Sequence, residues 1–315
     1  MSKSEIKVLV LLSTYNGQNY LQQQLNSLIV QENVELFYLI RDDGSKDGTI
    51  EILKQFSIMA VNVELILGKN IGFANSFKEL LILSYKYRET VNYFAFCDQD
   101  DIWLKNKLHV ATNNLEKMSN TVPAMYCSNL FRIDKNNKQI GESYKRGNVI
   151  FSKGTSLVNS IAAGCTMVLN LKTIEMFTKH PPKYLAFHDL FIFQMCIFLG
   201  EVYYDDIPYI FYRQHDNNVL GDKNTIFLAR WKNRLKIFPS FRNPHYREFT
   251  AIEFLRIYGN ILPEKDKRLI SIVANYKRNV LTRIRFLFPP SSSNIRMSTL
   301  DSELRLKIRI LFGVV

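Results

Sequence analysis

Three strand-like runs in the first hundred residues each stop at a cluster of hydroxyls and carboxylates. Residues 8–12 end at Ser13-Thr14-Tyr15-Asn16-Gly17, residues 35–41 at Asp42-Asp43-Gly44-Ser45-Lys46-Asp47-Gly48, and residues 93–97 at Asp98-Gln99-Asp100-Asp101. Between them the periodicity changes. Tyr20, Leu21, Leu25 and Leu28 recur at spacings that share one helical face, residues 49–56 and 73–87 read as further helices, and residues 61–67 as another strand. Strands that alternate with helices predict an α/β fold with a largely parallel sheet. In such sheets ligands occupy the crevice beyond the carboxyl ends of the strands, where all three polar clusters fall.

Further along, residues 124–133 and 165–169 read as strands, Phe187-His188-Asp189 opens a helix, and residues 209–212 form a last strand. From about Thr225 the pattern is helical, over 226–237, 246–260, 264–285 and 301–312, with Pro239, Pro263 and Pro289-Pro290 between. The expected division is an α/β unit over 1–222, with one half to about 120 and a second to 222, then a helical region over 223–315.

A chain of 315 residues that is 47% hydrophobic can bury a sizeable core. Its four cysteines, Cys97, Cys127, Cys165 and Cys196, show no zinc-ligand spacing and read as free thiols of a reducing compartment. No run approaches the ~20 apolar residues of a membrane span. The expected location is therefore cytoplasmic, at most resting on the inner face of the membrane. The net charge of +12 belongs to the tail: 19 of the 41 basic residues but only 6 of the 29 acidic ones lie from Lys223 onward.

Carboxylates as crowded as Asp98, Asp100 and Asp101 repel one another unless a cation compensates them. Hard oxygen ligands of this kind suit Mg²⁺ or Mn²⁺ bridged to substrate phosphates. An acidic turn that caps the next helix is the other reading. The Asp42–Thr49 segment also has a structural reading, since Asp, Gly and Ser are what tight turns use. Taken with Ser13–Gly17, it sets hydroxyls, carboxylates and a ring at adjacent strand mouths, which suits a nucleoside.

In their order and spacing these strings resemble the family 2 inverting glycosyltransferases of the GT-A fold. The likeness rests on Ser13-Thr14-Tyr15-Asn16, the Asp42–Thr49 segment, Asn70-Ile71-Gly72-Phe73-Ala74 and Phe96-Cys97-Asp98-Gln99-Asp100-Asp101-Ile102-Trp103, and spans about residues 6–220. Cys97-Asp98-Gln99-Asp100-Asp101-Ile102-Trp103, Phe187-His188-Asp189 and the string from Tyr212 to Gly221 look like bacterial rhamnosyltransferases that build cell-wall or capsular polysaccharides. The resemblance implies that Thr14, Tyr15, Asn16, Asp42, Asp43 and Asp98 hold the nucleoside, and that Asp100, Asp98 and His215 hold the metal. It implies Arg213 at the diphosphate and Asp189 as catalytic base, with His188 where the family carries an acidic residue. Gly164, Cys165, His188 and Trp103 would lie on the acceptor side; Trp103, Tyr126, Phe187 and Tyr212 are sugar-stacking candidates, with the core as the expected place of most of them. The implied donor is dTDP-L-rhamnose, with a UDP-hexose as alternative, and the implied acceptor a lipid-linked oligosaccharide.

The tail fits this in two ways. Residues 227–238, 281–288 and 304–312 alternate cationic with apolar residues, as a helix resting in an anionic membrane interface would; helices packed on a sister subunit would read alike. Other classes fit less well. A nucleotidyltransferase would carry a glycine-rich basic phosphate loop after the first strand, and a dinucleotide dehydrogenase a GxGxxG there; neither is present. No nucleic-acid-binding motif accompanies the basic tail, so no nucleic-acid partner is expected.

Overall fold

A computed structural model describes residues 6–215 and 245–315. The first part alternates as predicted: β1 (Lys7–Thr14), α1 (Leu21–Ile29), β2 (Glu35–Asp42), α2 (Thr49–Met59), β3 (Val63–Leu67), α3 (Phe73–Ser84) and β4 (Tyr93–Cys97). Then come β5 (Ile102–Trp103), α4 (Lys107–Leu115), β6 (Ala124–Ser128), β7 (Phe131–Ile133), β8 (Gln139–Glu142), α5 (Lys153–Ser156), β9 (Val168–Asn170) and α6 (Leu171–Lys179). They are followed by α7 (His188–Leu199), β10 (Glu201–Asp205) and β11 (Ile210–Arg213), and past residue 244 by α8 (Tyr246–Tyr258), α9 (Glu264–Ala274), α10 (Val280–Leu287) and α11 (Leu300–Phe312).

Seven strands form the main sheet in the order β10-β6-β9-β4-β1-β2-β3. β9 runs antiparallel to β4 and β6, and every other pairing is parallel, so six strands point one way. The apolar run of β1 suits its central place, because a strand covered on both faces needs no polar alternation. Val8, Val10 and Leu12 meet Leu21, Leu25 and Leu28 of α1 on one face. Leu9 and Leu11 meet Phe77, Leu80 and Leu81 of α3 on the other. Each such side chain contributes about 1.5–3 kcal/mol by leaving water.

Register fixes the functional edge. Thr14 pairs with Asp42 and Leu12 with Cys97, so the polar turns after β1, β2 and β4 emerge side by side. A second sheet, β5-β11-β7-β8, sets Ile210 opposite Trp103 and carries Arg213 back to the acidic turn.

Three expectations change. The strand predicted over 124–133 is two, because buried Asn129 turns the corner: its Nδ2 donates to Tyr144 O and Asp206 O while its Oδ1 accepts from Leu130 N. Gly164–Thr166 is a 3₁₀ turn, and the strand begins only at Val168. The helix predicted over 264–285 is α9 and α10, separated at Asn279, which caps α10 through Thr282. The helix expected over 226–237 and the string from Asp216 to Gly221 lie outside the described residues.

α7 is apolar around its whole circumference, and such a helix is stable only when buried. Phe254 and Tyr258 of α8 pack on Phe191 at 5.8 and 6.3 Å, so the C-terminal helices share the core of the sheet. Among the described residues no helix is long and apolar enough to cross a membrane.

Candidate active site

The turns after β1 and β2 are laced together. Asp42 is fully buried and its carboxylate accepts from Gly44 N, Ser45 N and the hydroxyls of Thr14 and Ser45. Gly44 adopts φ +79°, a region that costs a side chain energy, and an added Cβ would lie 3.1 Å from Asn70 N. Asp43 accepts from Arg41 at 2.6 Å and from the backbone N–H groups of Ile71 and Gly72, both at 2.9 Å. Asn16 donates its N–H to Ser45 and accepts from Lys46 N, both at 2.8 Å. Of the residues expected at the nucleoside, the Tyr15-Asn16 pair is exposed. Thr14, Asp42 and Asp43 stand behind it, binding the turns to one another.

Gln99 was not singled out by the sequence. Its Oε1 accepts from Tyr15 N at 2.8 Å and its Nε2 donates to Tyr15 O at 3.1 Å, an amide clasp between the ends of β1 and β4. Gly17 makes room for it, since a Cβ there would lie 2.3 Å from Gln99 Oε1. That glycine is the one local sign of the clasp.

The acidic turn holds two environments. Asp100 Oδ2 lies 2.7 Å from His215 Nε2, and the His215 ring stacks on Tyr20 with centroids 4.9 Å apart. Asp101 is fully buried; its Oδ1 accepts Arg213 N at 3.1 Å, while Oδ2 has no hydrogen-bond partner. Burial, then Asp100 and Asp189, push the Asp98 carboxyl up to about 8, and burial with Asp100 and Asp98 pushes Asp101 well up. Donor atoms of Asp98, Asp101 and Cys165 lie within 4.8 Å of one another. Crowded carboxyls driven toward their protonated forms, one with an orphaned buried oxygen, are the chemistry a divalent cation relieves. Asp98 and Asp100, with His215 beside them, therefore fit Mg²⁺ or Mn²⁺, whereas the buried Cys165 thiol is a soft ligand that such ions do not favour.

Three more of the expected residues are buried. Arg213, assigned to the diphosphate, is 1% exposed and its guanidinium donates to Asp100 O, Asn137 Oδ1 and Gln23 Oε1 while lying over Tyr20. It braces the acidic turn from behind. Trp103, assigned to the acceptor side, is 2% exposed and covered by Lys107, whose Nζ is 3.6 Å from the ring centroid. The Lys107 ammonium, drawn down to about 8 by burial, faces Asp101 from the core. Tyr126 is likewise buried, its hydroxyl on Asp205 at 3.0 Å.

Asp189 is partly exposed in the first turn of α7, where backbone N–H groups favour an anion. Its carboxylate accepts from Leu190 N at 2.7 Å and from Gly164 N, yet the crowding of protein around it raises its pKa to about 6. It is near enough to Asp98 for their charges to interact, so it faces the acidic turn from a separate helix. His188 points the other way. Its ring stacks on Phe77 at 3.9 Å and meets the edge of Phe96 at 4.7 Å, and neither ring nitrogen has a hydrogen-bond partner. Burial lowers its pKa to about 3, so the ring is neutral. It bonds neither to Asp189 nor to backbone. Gly164 is small because of this pair: a Cβ would lie 2.9 Å from His188 Nε2 and 3.4 Å from Asp189 Cβ. Cys165 is fully buried against Asp101, so it faces the acidic turn.

A mostly parallel sheet with its acids gathered at the carboxyl edge, faced by a carboxylate on a separate helix, has the layout of a sugar transferase of GT-A fold. The chain belongs to glycosyl transferase family 2, whose profile matches residues 9–175. It is 30% identical over 253 residues to the dTDP-rhamnosyl transferase RfbG of Shigella flexneri, covering 75% of this chain and 81% of that one. It is 25% identical over 172 residues to the UDP-Glc:alpha-D-GlcNAc-diphosphoundecaprenol beta-1,3-glucosyltransferase WfgD of Escherichia coli, covering 54% and 63%. Among solved structures, S. aureus TarS 1-349 in complex with UDP-GlcNAc superposes with a TM-score of 0.57 at 14% identity, over 98% of this chain and 82% of that one.

Proposed function

We propose that this glycosyltransferase moves L-rhamnose from dTDP-L-rhamnose, with inversion, to a hydroxyl of a lipid-linked glycan in bacterial cell-wall or capsular polysaccharide synthesis. Asp189 carries the reading. It is a reachable carboxylate with a pKa near 6, held by two backbone N–H groups and facing the acids at the sheet edge. A single displacement needs one base opposite the leaving group, and a base works best when its pKa lies near the working pH. Asp189 takes the proton of the acceptor hydroxyl as that oxygen attacks the anomeric carbon, and the bond to the nucleoside diphosphate breaks. A β-linked donor gives an α-linked product, without a covalent enzyme intermediate.

Asp100 and His215, with Asp98 beside them, would hold the divalent cation, which when bound offsets charge on the departing diphosphate. Tyr15 offers its ring to the base from the mouth of β1. Similarity to RfbG supports the rhamnosyl donor, and similarity to WfgD, named for a diphosphoundecaprenol acceptor, supports a lipid-linked one. The chain would then work at the inner face of the cell membrane, with its basic C-terminal region toward the lipid.

Calorimetric titration with dTDP, UDP, GDP and ADP, each with and without Mn²⁺, tests this directly. Selective, metal-dependent dTDP binding supports rhamnosyl transfer. A preference for UDP replaces the sugar, and binding of none removes the donor site.

A further inference from the structure

α10 and α11 pack on each other and leave two apolar stripes uncovered. On α10 and its end these are Leu281, Ile284 and Phe288, at 77, 48 and 67% exposure; on α11 they are Leu304 and Leu311, at 60 and 54%. Each set recurs at three- and four-residue steps or their sum, which puts it on one helix face. The two stripes are neighbours, because Lys307 Nζ stands 5.5 Å over the Phe288 ring and Arg283 donates to Leu311 O. The opposite faces are buried, through Phe286 on α10 and Leu306 and Ile310 on α11. The exposed leucines are therefore not the leftover side of a loosely attached helix.

Around this patch the charge is mostly positive, although Glu303 pairs with Lys307 at 4.0 Å. From Lys277 to Val315 there are eight Lys and Arg but only two acidic residues. Arg278, Arg285 and Arg296 are exposed. A second copy of the chain would bring these cations against one another across a two-fold interface, which is unfavourable. An apolar patch rimmed by cations is instead complementary to a bilayer with anionic headgroups, where leucine and phenylalanine enter the acyl boundary and arginine meets phosphate.

We propose that the joint face of α10 and α11 is the surface by which this protein rests on anionic phospholipid. The face is tied to the acceptor side by few side chains. Arg309 of α11 lies near Tyr246, and Tyr246 stands edge-on to Phe187, two residues before the base, at 5.2 Å. The lipid-linked acceptor of the functional proposal gives this face its purpose, but its test needs no sugar transfer, so the two readings fail separately.

The full chain is floated with vesicles of equal phosphatidylglycerol and phosphatidylcholine, and with vesicles of phosphatidylcholine alone. Wild type is expected on the anionic vesicles and not on the neutral ones, with binding weakened by salt. Leu281→Glu with Leu304→Glu, and separately Arg278→Gln with Arg285→Gln, should each lower the bound fraction about tenfold. Both variants should keep wild-type donor-nucleotide binding and circular dichroism, which separates a lost surface from a lost fold. Wild-type failure to bind anionic vesicles overturns the proposal, as does variant binding equal to wild type. A wild-type dimer that Leu281→Glu with Leu304→Glu splits, with vesicle binding unchanged, assigns the face to a second copy instead.

Discussion

Asp189 and His188 adjoin in sequence, yet protein crowding drives their pKa values in opposite directions, because it disfavours the charged form of each. For Asp189 the sign is testable twice. The proposed base must be ionised, so transfer is expected to rise with pH through about 6. Asp189→Asn should lower kcat by roughly a thousandfold while donor affinity stays unchanged by calorimetry. Because the folded carboxyl binds its proton more tightly than the unfolded one, at 3.8, wild-type stability is lost as pH rises through the window from 3.8 to 6. Asp189→Asn should therefore be the more stable protein at pH 7.5 in chelator, by up to about 3 kcal/mol. The gap in Tm should close as the pH falls toward 4. For His188, replacement by Phe keeps the stack on Phe77 and removes two orphaned nitrogens, so Tm should hold or rise. His188→Asp would instead bury an unpartnered carboxyl against Phe77 and Phe96, so Tm should fall.

At the scale of elements, the acidic turn depends on β11, which reaches it from over a hundred residues away. Arg213 holds that turn through Asp100 O and fixes its own strand through Asn137 and Gln23. Arg213→Lys keeps the charge but not the planar fork. The expected result is weaker metal-dependent donor binding, by about tenfold in titration, with a lower Tm. The strands that end at this site were legible in the sequence, since β1, β2 and β4 and the turns that close them are written in contiguous residues. The carboxylate at Asp189 was legible only through resemblance, because a single aspartate at the start of an apolar helix has no local signature. Its ties across the fold were not legible. Gln99 meets Tyr15 across 84 positions and Asp101 meets Arg213 across 112, and periodicity within one segment carries no information about such pairs. The same blindness put Trp103 at the sugar. An aromatic after an acidic turn looks the same in sequence whether it faces a ligand or, as here, lies under a buried lysine.

Across the whole molecule, the described C-terminal helices are part of the core that supports the site. Phe254 covers both Phe191 and Phe198 of α7, and Tyr258 sets its hydroxyl 3.1 Å from the sulfur of Met195. A chain cut after residue 222 would leave α7, the helix that bears Asp189, open to water on that side. Such a fragment should be recovered aggregated, or should lose cooperative unfolding by calorimetry, whereas the full chain melts as one unit. That arrangement also bears on how such a chain can change through descent. A recombination joint placed between β11 and α8 would pair one lineage's α7 with another's α8, and aromatic surfaces shaped for different partners would meet at Phe191. The region past residue 244 is therefore heritable only together with the helix that carries the proposed base, and lineages that exchange tails should be found to have exchanged α7 with them.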